Sequence, residues 1–241
     1  IKHLDEKPNK HIAVPLCEPV AFYQIEELPV DPYMLGFLLG DGCMTTSQKQ
    51  ITATTTDTEI VEFLKNNSKR LYDSKDGRHY TIYDDDLLAR IKELGLYGSY
   101  SHTKFIPTRY KMASVEDRFA LIQGLMDSDG YADSRRTNVG LTTTSKQLAE
   151  DIQEVIWSLG GMCTITQKAT SYKNDGVRIE CKDAYVLYIQ TADNAKLFRL
   201  DRKASKVKPR RFSKTRRIVK VEKVGRDKCR CIAVSNPNSL Y

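Results

Sequence analysis

The chain has 241 residues, 40% of them hydrophobic and 29% charged, with a formal net charge of +7. No apolar run approaches the ~20 residues of a membrane span, and the amino-terminal Ile-Lys-His-Leu-Asp lacks the charged and apolar regions of a secretion signal. The charge is uneven: residues 196–228 hold 15 Lys and Arg against the three acids Asp201, Glu222 and Asp227, a basic block that points to a polyanionic partner.

Residues 1–30 carry no strong helical period. Two short extended pieces broken by prolines, near residues 11–16 and 20–23, make them an arm. Asp31 before Pro32 predicts an N-cap with proline at the first helical position, opening the apolar run Met34-Leu-Gly-Phe-Leu-Leu-Gly-Asp-Gly42. Threonine-rich stretches at 43–47 and 50–55 favour strands. Thr56 with Glu59 is a capping box, and Ile60, Val61, Leu64 and Leu71 follow at helical spacing. An extended pair flanks the turn Asp76-Gly77, and residues 84–94 form a helix that stops at Gly95.

The second half repeats this order. Ser114 with Asp117 caps a helix that ends in Ile122-Gln-Gly-Leu-Met-Asp-Ser-Asp-Gly130. Strands at 131–135 and 138–143, a capping box of Thr144 with Gln147, and a stripe of Leu148, Ile152, Val155, Ile156 and Leu159 come next. Two strands then flank Asn174-Asp175-Gly176, and a helix covers about 193–200. The divisions are an arm (1–30), repeat one (31–113), repeat two (114–213) and a basic carboxy-terminal segment (214–241).

The repeat is numerical. Asp41 and Asp129 lie 88 residues apart, as do Thr54-Thr55-Thr56 and Thr142-Thr143-Thr144. Gly42 and Gly130 stand where a left-handed cap ends a helix, and an acid at that end opposes the helix dipole, so something must compensate it. Gly36 with Gly40, and Gly124 with Ser128, are small residues four apart that let two helix backbones approach closely. That packing brings Asp41 and Asp129 side by side, a pair that stays ionised only around a cation. Oxygen ligands and a phosphate substrate suit Mg²⁺ (or Mn²⁺).

The two runs resemble the paired LAGLIDADG motifs of homing endonucleases in their single-chain form, over about residues 31–213. Leu39 departs from the pattern, standing where the first motif usually has an acid. The resemblance implies an α/β (α+β) fold of two pseudo-symmetric αββαββα repeats, each a saddle-shaped antiparallel sheet, with the motif helices packed at the centre. It implies hydrolysis of double-stranded DNA at a long, non-palindromic site by a monomer; the scattered cysteines fit a reducing interior, cytoplasm or nucleoid. Metal would be held by Asp41 and Asp129 with the backbone carbonyls of Gly40 and Ser128. Lys104 and Lys206, each in Lys-x-x-Pro, take the place of active-site lysines. DNA-contacting candidates are Thr45, Ser47, Gln48, Lys49 and Gln50 in repeat one, and Arg135, Arg136, Asn138, Lys173, Asn174 and Arg178 in repeat two. Arg210, Arg211, Arg216 and Arg217 of the basic block complete the set.

Residues 229–241 resemble the strand block near the end of an intein, without its terminal His-Asn, and the chain opens without an intein's nucleophile or an initiator Met. An excised endonuclease part of an intein, carrying remnants of the splicing domain, is the expectation; Cys231 is then idle. The six cysteines form no C-x-x-C pair, which argues against zinc, and most are expected to be small buried apolar residues. Two alternatives stand beside the nuclease: a non-cleaving LAGLIDADG DNA- or RNA-binding protein (maturase or regulator), and a protein-splicing fragment.

Overall fold

The computed structural model describes residues 12–22, 27–47, 49–133, 135, 137–209, 211–223, 225–228 and 230. The candidate residues Gln48, Arg136 and Arg210, and Cys231, lie outside them. Strand β1 (Ala13–Pro15) precedes helix α1 (Pro32–Asp41), then β2 (Gly42–Cys43), β3 (Ile51–Thr54), α2 (Thr58–Asn66), β4 (Arg70–Asp73), β5 (His79–Tyr83) and α3 (Asp85–Glu93). A short α4 (Thr108–Lys111) leads to α5 (Val115–Ser128), β6 (Tyr131–Asp133), β7 (Asn138–Thr143), α6 (Lys146–Ser158) and β8 (Met162–Lys168). Then come β9 (Ser171–Asn174), β10 (Val177–Glu180), β11 (Ala184–Gln190), a 3₁₀ turn (Asn194–Leu197), α7 (Asp201–Ala204) and β12 (Thr215–Arg217).

The fold is a mixed α/β arrangement of two four-stranded antiparallel sheets, ordered β2-β3-β5-β4 and β6-β7-β11-β8. Register repeats with order: Cys43 pairs Thr52 as Tyr131 pairs Gly140. Between the sheets, α1 and α5 pack through their small residues. A Cβ on Gly36 would lie 2.0 Å from the carbonyl oxygen of Leu121, and one on Gly124 would lie 2.2 Å from that of Tyr33. Those contacts map onto each other at the 88-residue offset, as two copies related by a two-fold would. Gly40 meets Ser128, its own counterpart, so the pseudo-two-fold passes between them; a Cβ there would lie 1.9 Å from Ser128 Oγ. The core is continuous across this seam, with Leu35, Leu38, Leu121 and Ile122 fully buried.

Local signals held at most element ends. Asp31 accepts from the amide of Met34, Ser114 from that of Asp117, and Asp84 from those of Asp86 and Leu87. Asp175 and Gly176 take the left-handed backbone of a tight hairpin turn, as do Lys75 and Gly77 at the other turn. The capping boxes are displaced by one residue: the N-caps are Asp57 and Ser145, not Thr56 and Thr144. Gly42 is extended (φ −87°), not left-handed. It is glycine for space, because a Cβ would sit 2.5 Å from the Leu38 carbonyl oxygen, and Gly130 meets Met126 in the same way at 2.4 Å. The expected helix at 193–200 is one 3₁₀ turn followed by a separate short α7.

The strands flanking Asn174-Asp175-Gly176 form their own two-stranded hairpin, β9 with β10; the sheet is completed by β8 and β11. The arm is docked on repeat two. β1 pairs with β12, and Val20 N donates to Ser158 O. Arg118, fully buried, donates to the Val20 carbonyl and Ser158 Oγ and lies over Phe22. Of the described cysteines only Cys163 is buried; Cys17 and Cys43 are half-buried and Cys181 is exposed.

Candidate active site

The motif helices end together. Asp41, the last residue of α1, is half-buried, whereas Asp129, the C-cap of α5, is solvent-facing. The carboxylates are therefore not a fully buried pair; they stand at the adjacent carboxy-terminal ends of α1 and α5. A Cβ on Gly40 would lie 3.4 Å from Asp129 Oδ2, which puts that carboxylate against the opposite helix. Burial and the neighbouring Asp129 charge push the Asp41 carboxyl up to about 6, against the pull of Lys203 and Lys104. Desolvation by the surrounding protein likewise raises Asp129, with Lys104 and Lys203 opposing it.

The compensation required at these helix ends is supplied by two buried lysines. Lys104 Nζ donates to the carbonyls of Leu38 (3.1 Å), Gly40 (3.1 Å) and Gly42 (2.7 Å). Lys203 Nζ donates to those of Met126 (3.0 Å), Ser128 (2.9 Å) and Gly130 (2.8 Å), and also to Asp127 (2.7 Å). The first three acceptors in each set correspond at the 88-residue offset. Each ammonium occupies the negative end of a helix dipole and satisfies carbonyls left open by the helix terminus. Burial pushes Lys104 down to about 8 and lowers Lys203 as well.

The lysine seated at the α5 end is thus Lys203; the sequence candidate Lys206 is not seated there. Lys206 is exposed, and only its backbone amide engages the site's supports, donating to Lys203 O. The Lys-x-x-Pro pattern misled because the spacing changes after α6. Ile51 pairs Ile82 in repeat one and Val139 pairs Ile189 in repeat two. The β9–β10 hairpin lengthens that interval, and the short 3₁₀ turn in place of α3 shortens the next. No local motif surrounds Lys203; only counting through the paired strands would find it.

Asp127, at the position equivalent to Leu39, is buried and turned to Tyr33 and the chain at 199–200. It accepts from Tyr33 Oη (2.8 Å) and from the amides of Arg199 (3.0 Å) and Leu200 (3.3 Å). It anchors the chain leading to Lys203, and the departure at Leu39 marks a half that lacks this anchor.

The other candidates scatter over the outer surface. Thr45 and Ser47 are joined side chain to side chain (2.9 Å) in the β2–β3 turn, with Lys49 exposed beyond them. Gln50 is half-buried and its Oε1 finds no partner among the described residues. Arg135 is exposed in the β6–β7 turn, and Asn138 opens β7. Lys173, Asn174 and Arg178 are exposed on the β9–β10 hairpin, at the end of sheet two where Lys168 pairs Ala184. Arg211, Arg216 and Arg217 are exposed on or near β12, toward the opposite end. Period-two register adds residues that spacing did not suggest: Thr52, Thr81 and Tyr72 share the open face of sheet one, and Tyr131, Tyr188 and Thr164 that of sheet two.

Among the described residues, three or more His, Cys, Asp or Glu side chains gather nowhere in metal-binding array. The candidate donors at the two helix ends are all oxygen: two carboxylates, plus the carbonyls of Gly40 and Ser128, each of which also accepts from a lysine ammonium. That set fits Mg²⁺ or Mn²⁺, hard cations that keep several waters and bind through one or two carboxylates.

Residues 116–200, from the first turn of α5 to the residue before α7, match the family described as a LAGLIDADG-like domain. The chain is 33% identical over 220 residues to the replicative DNA helicase DnaB of Mycobacterium intracellulare, covering 89% of this chain and 34% of the helicase. It is 24% identical over 189 residues to the homothallic switching endonuclease of Saccharomyces cerevisiae, covering 64% of this chain and 31% of that protein. The chain thus spans about a third of each relative. A structure of mesophilic variants of the homing endonuclease I-DmoI superposes with a TM-score of 0.46 at 18% identity, covering 70% of this chain and 92% of that one.

Proposed function

We propose that the chain is a site-specific, metal-dependent endonuclease for double-stranded DNA, acting as a single chain whose two repeats read the halves of a long, non-palindromic site. The observation that carries this reading is the pairing of Asp41 and Asp129 at the pseudo-two-fold, each above a lysine-capped helix end. A scaffold that only bound nucleic acid would gain nothing from two neighbouring carboxylates raised toward protonation. A divalent ion bound by Asp41, Asp129 and the carbonyls of Gly40 and Ser128 would polarise the scissile phosphate and acidify a water.

The chain's own groups have distinct parts. The carboxylates stand at neighbouring helix ends, one from each repeat, so each would serve one strand of the duplex. Lys104 and Lys203 commit their N–H groups to helix carbonyls, since an ammonium has only three to give. They act as fixed positive charge beneath the carboxylates, favouring the ionised form that binds a cation. The sheet faces, rich in Thr and Tyr, suit the major groove, and the basic tail suits phosphates.

The splicing-remnant reading has one support of its own. Ile218 N donates to Ile12 O (2.9 Å), next to the β1–β12 pairing. Residues 12 and 218 therefore run side by side, a geometry that an inserted unit would use. A chain that aligns to about a third of a helicase and a third of an endonuclease suits such an insert.

Cleavage of a plasmid library of long randomised sites in Mg²⁺ or Mn²⁺ tests the nuclease. A discrete set of sites cut by the wild type and spared by Asp41→Asn and Asp129→Asn is the expected result. Binding without cutting in either metal would return the chain to the non-cleaving class.

A further inference from the structure

Each buried lysine is tied to its own repeat's helix end, but the chain that carries it is tied to the other repeat. Lys104 reaches α1, yet its carbonyl accepts from Ser145 Oγ at 2.6 Å, and Ser145 is the N-cap of α6. Next to it the amide of Ile106 donates to Asp151 of α6 at 2.9 Å. Lys203 reaches α5, yet the adjacent Arg202 forks onto Asp57, the N-cap of α2. Its Nε pairs with Asp57 Oδ1, and its Nη2 lies 2.5 Å from Oδ2.

Asp57 and Ser145 are counterparts at the 88-residue offset and are presented identically. Thr55 Oγ1 accepts from the Asp57 amide, and Thr143 Oγ1 from the Ser145 amide, both at 3.1 Å. Ser145 also caps its helix, accepting from Leu148 N at 3.1 Å. Asp57 makes no side-chain cap bond. An aspartate at an N-cap normally accepts from the first-turn amides; this one is turned to the guanidinium instead, and its side chain is only 11% exposed against 51% for Arg202.

We propose that Asp57, through Arg202, is a positioning residue for Lys203, so that each lysine's seat is held from across the pseudo-two-fold and each half of the site is set by the opposite repeat. The two latches differ in kind. Ser145 makes a short neutral bond in the interior, while Asp57 and Arg202 form a bidentate ion pair with one side open to water, whose geometry lysine cannot reproduce. The inference rests on the nuclease reading for its effect on cleavage, but not for its effect on the seat.

Strand-resolved cleavage and hydrogen exchange test it together. Asp57→Ala and, as the milder change, Arg202→Lys should slow the same strand that Lys203→Met slows, by roughly 10- to 100-fold as expected for a misplaced group, leaving nicked product and unchanged DNA affinity. Asp57→Ala should add nothing in a Lys203→Met background, because both act through one group. Amides of residues 198–206 should exchange faster in Asp57→Ala and Arg202→Lys, while those of 104–111 keep the wild-type rate. Equal slowing of both strands, additive loss in the double variant, or unchanged exchange at 198–206 would overturn the proposal. Absence of cleavage by the wild type would instead remove the nuclease reading, and the exchange result would still decide the latch.

Discussion

Lys104 and Lys203 deliver their ammonium groups to carbonyls that correspond along α1 and α5, yet the chain reaches the two places by different routes. Lys104 follows a full helix, α3, and an extended stretch held by the buried Ser145 and Asp151. Lys203 follows one 3₁₀ turn and is held by Asp127 below and the half-exposed Arg202–Asp57 pair beside it. Arg199 adds a contact over the Tyr33 ring, 4.0 Å from its centroid. What is kept identical is the position of charge at the helix ends; what varies is the chain that brings it. The repeated part of the molecule is therefore the part the pseudo-two-fold passes through, and asymmetry grows with distance from it.

The strongest way to break the comparison is at the axis, where both halves fail together. Gly36→Ala places a methyl 2.0 Å from a backbone oxygen of the facing helix, with no flexible side chain to yield. A loss of about 3 kcal/mol or more in denaturant unfolding is expected, at the upper end of overpacking costs. Gly124→Ala should match it; a substantially milder effect in one of them would mean the packing is not two-fold.

The lysines sharpen it. Lys104→Met or Lys203→Met leaves helix-end carbonyls buried without their donor, a cost of about 1–3 kcal/mol, and removes positive charge from beneath the carboxylates. Both should be destabilised to a similar extent, while Lys206→Met, on an exposed residue, stays within about 0.5 kcal/mol of wild type. Thermal melts of the three variants decide the assignment: a Lys206 effect equal to that of Lys203 would reinstate the Lys-x-x-Pro reading.

Asp41 gives a smaller effect of opposite sign. Its folded pKa, about 6, lies above the ordinary 3.8, so the folded state favours the protonated form. Its stabilising share is complete below about pH 4 and is lost as pH rises through 6. At pH 7 to 8 without divalent ion, Asp41→Asn should therefore be more stable than wild type by about 1–2 kcal/mol after allowance for solvent screening. The gain should fade on acidification and shrink when millimolar Mg²⁺ stabilises the wild type alone. A variant less stable than wild type at pH 8 would show that the carboxylate is structural.

Much of this arrangement was legible. The 88-residue offset fixed the two motif helices, their small faces and the adjacency of Asp41 and Asp129, because helix packing through glycine depends on local spacing alone. The need for cations at the helix ends was also legible from the dipole. Their identity was only half so: Lys104 lies where the pattern put it, but Lys203 sits beyond two changes of chain length, and Lys206 drew the eye through a nearby proline. Asp57 and Arg202 were invisible for a further reason. They are 145 residues apart, and an aspartate before a helix reads as a cap until its partner is seen. The glycines after each acid were placed correctly and explained wrongly, since φ and steric clearance leave the same mark in a sequence.

The smallest effect concerns the hairpin that only repeat two carries. Arg178 and Lys173 face each other across β10 and β9, exposed, at the far end of sheet two. Repeat one has only the tight turn around Asp76 and Gly77 at the equivalent place. If both repeats lie along one duplex, the hairpin extends the contact in one half alone, and its basic pair meets phosphates that the other half leaves free. Each phosphate contact contributes about 0.9 to the slope of log affinity against log salt. Lys173→Ala with Arg178→Ala should reduce that slope by roughly 2 while leaving the melting temperature unchanged, as surface substitutions do. Arg135→Ala, in the β6–β7 turn, should instead relax base preference in the repeat-two half by about 1–3 kcal/mol if it reads guanine. Binding isotherms over a salt series separate the two. An unchanged slope in the hairpin variant would place that hairpin off the DNA and leave the asymmetry of the two halves to the base-reading turns.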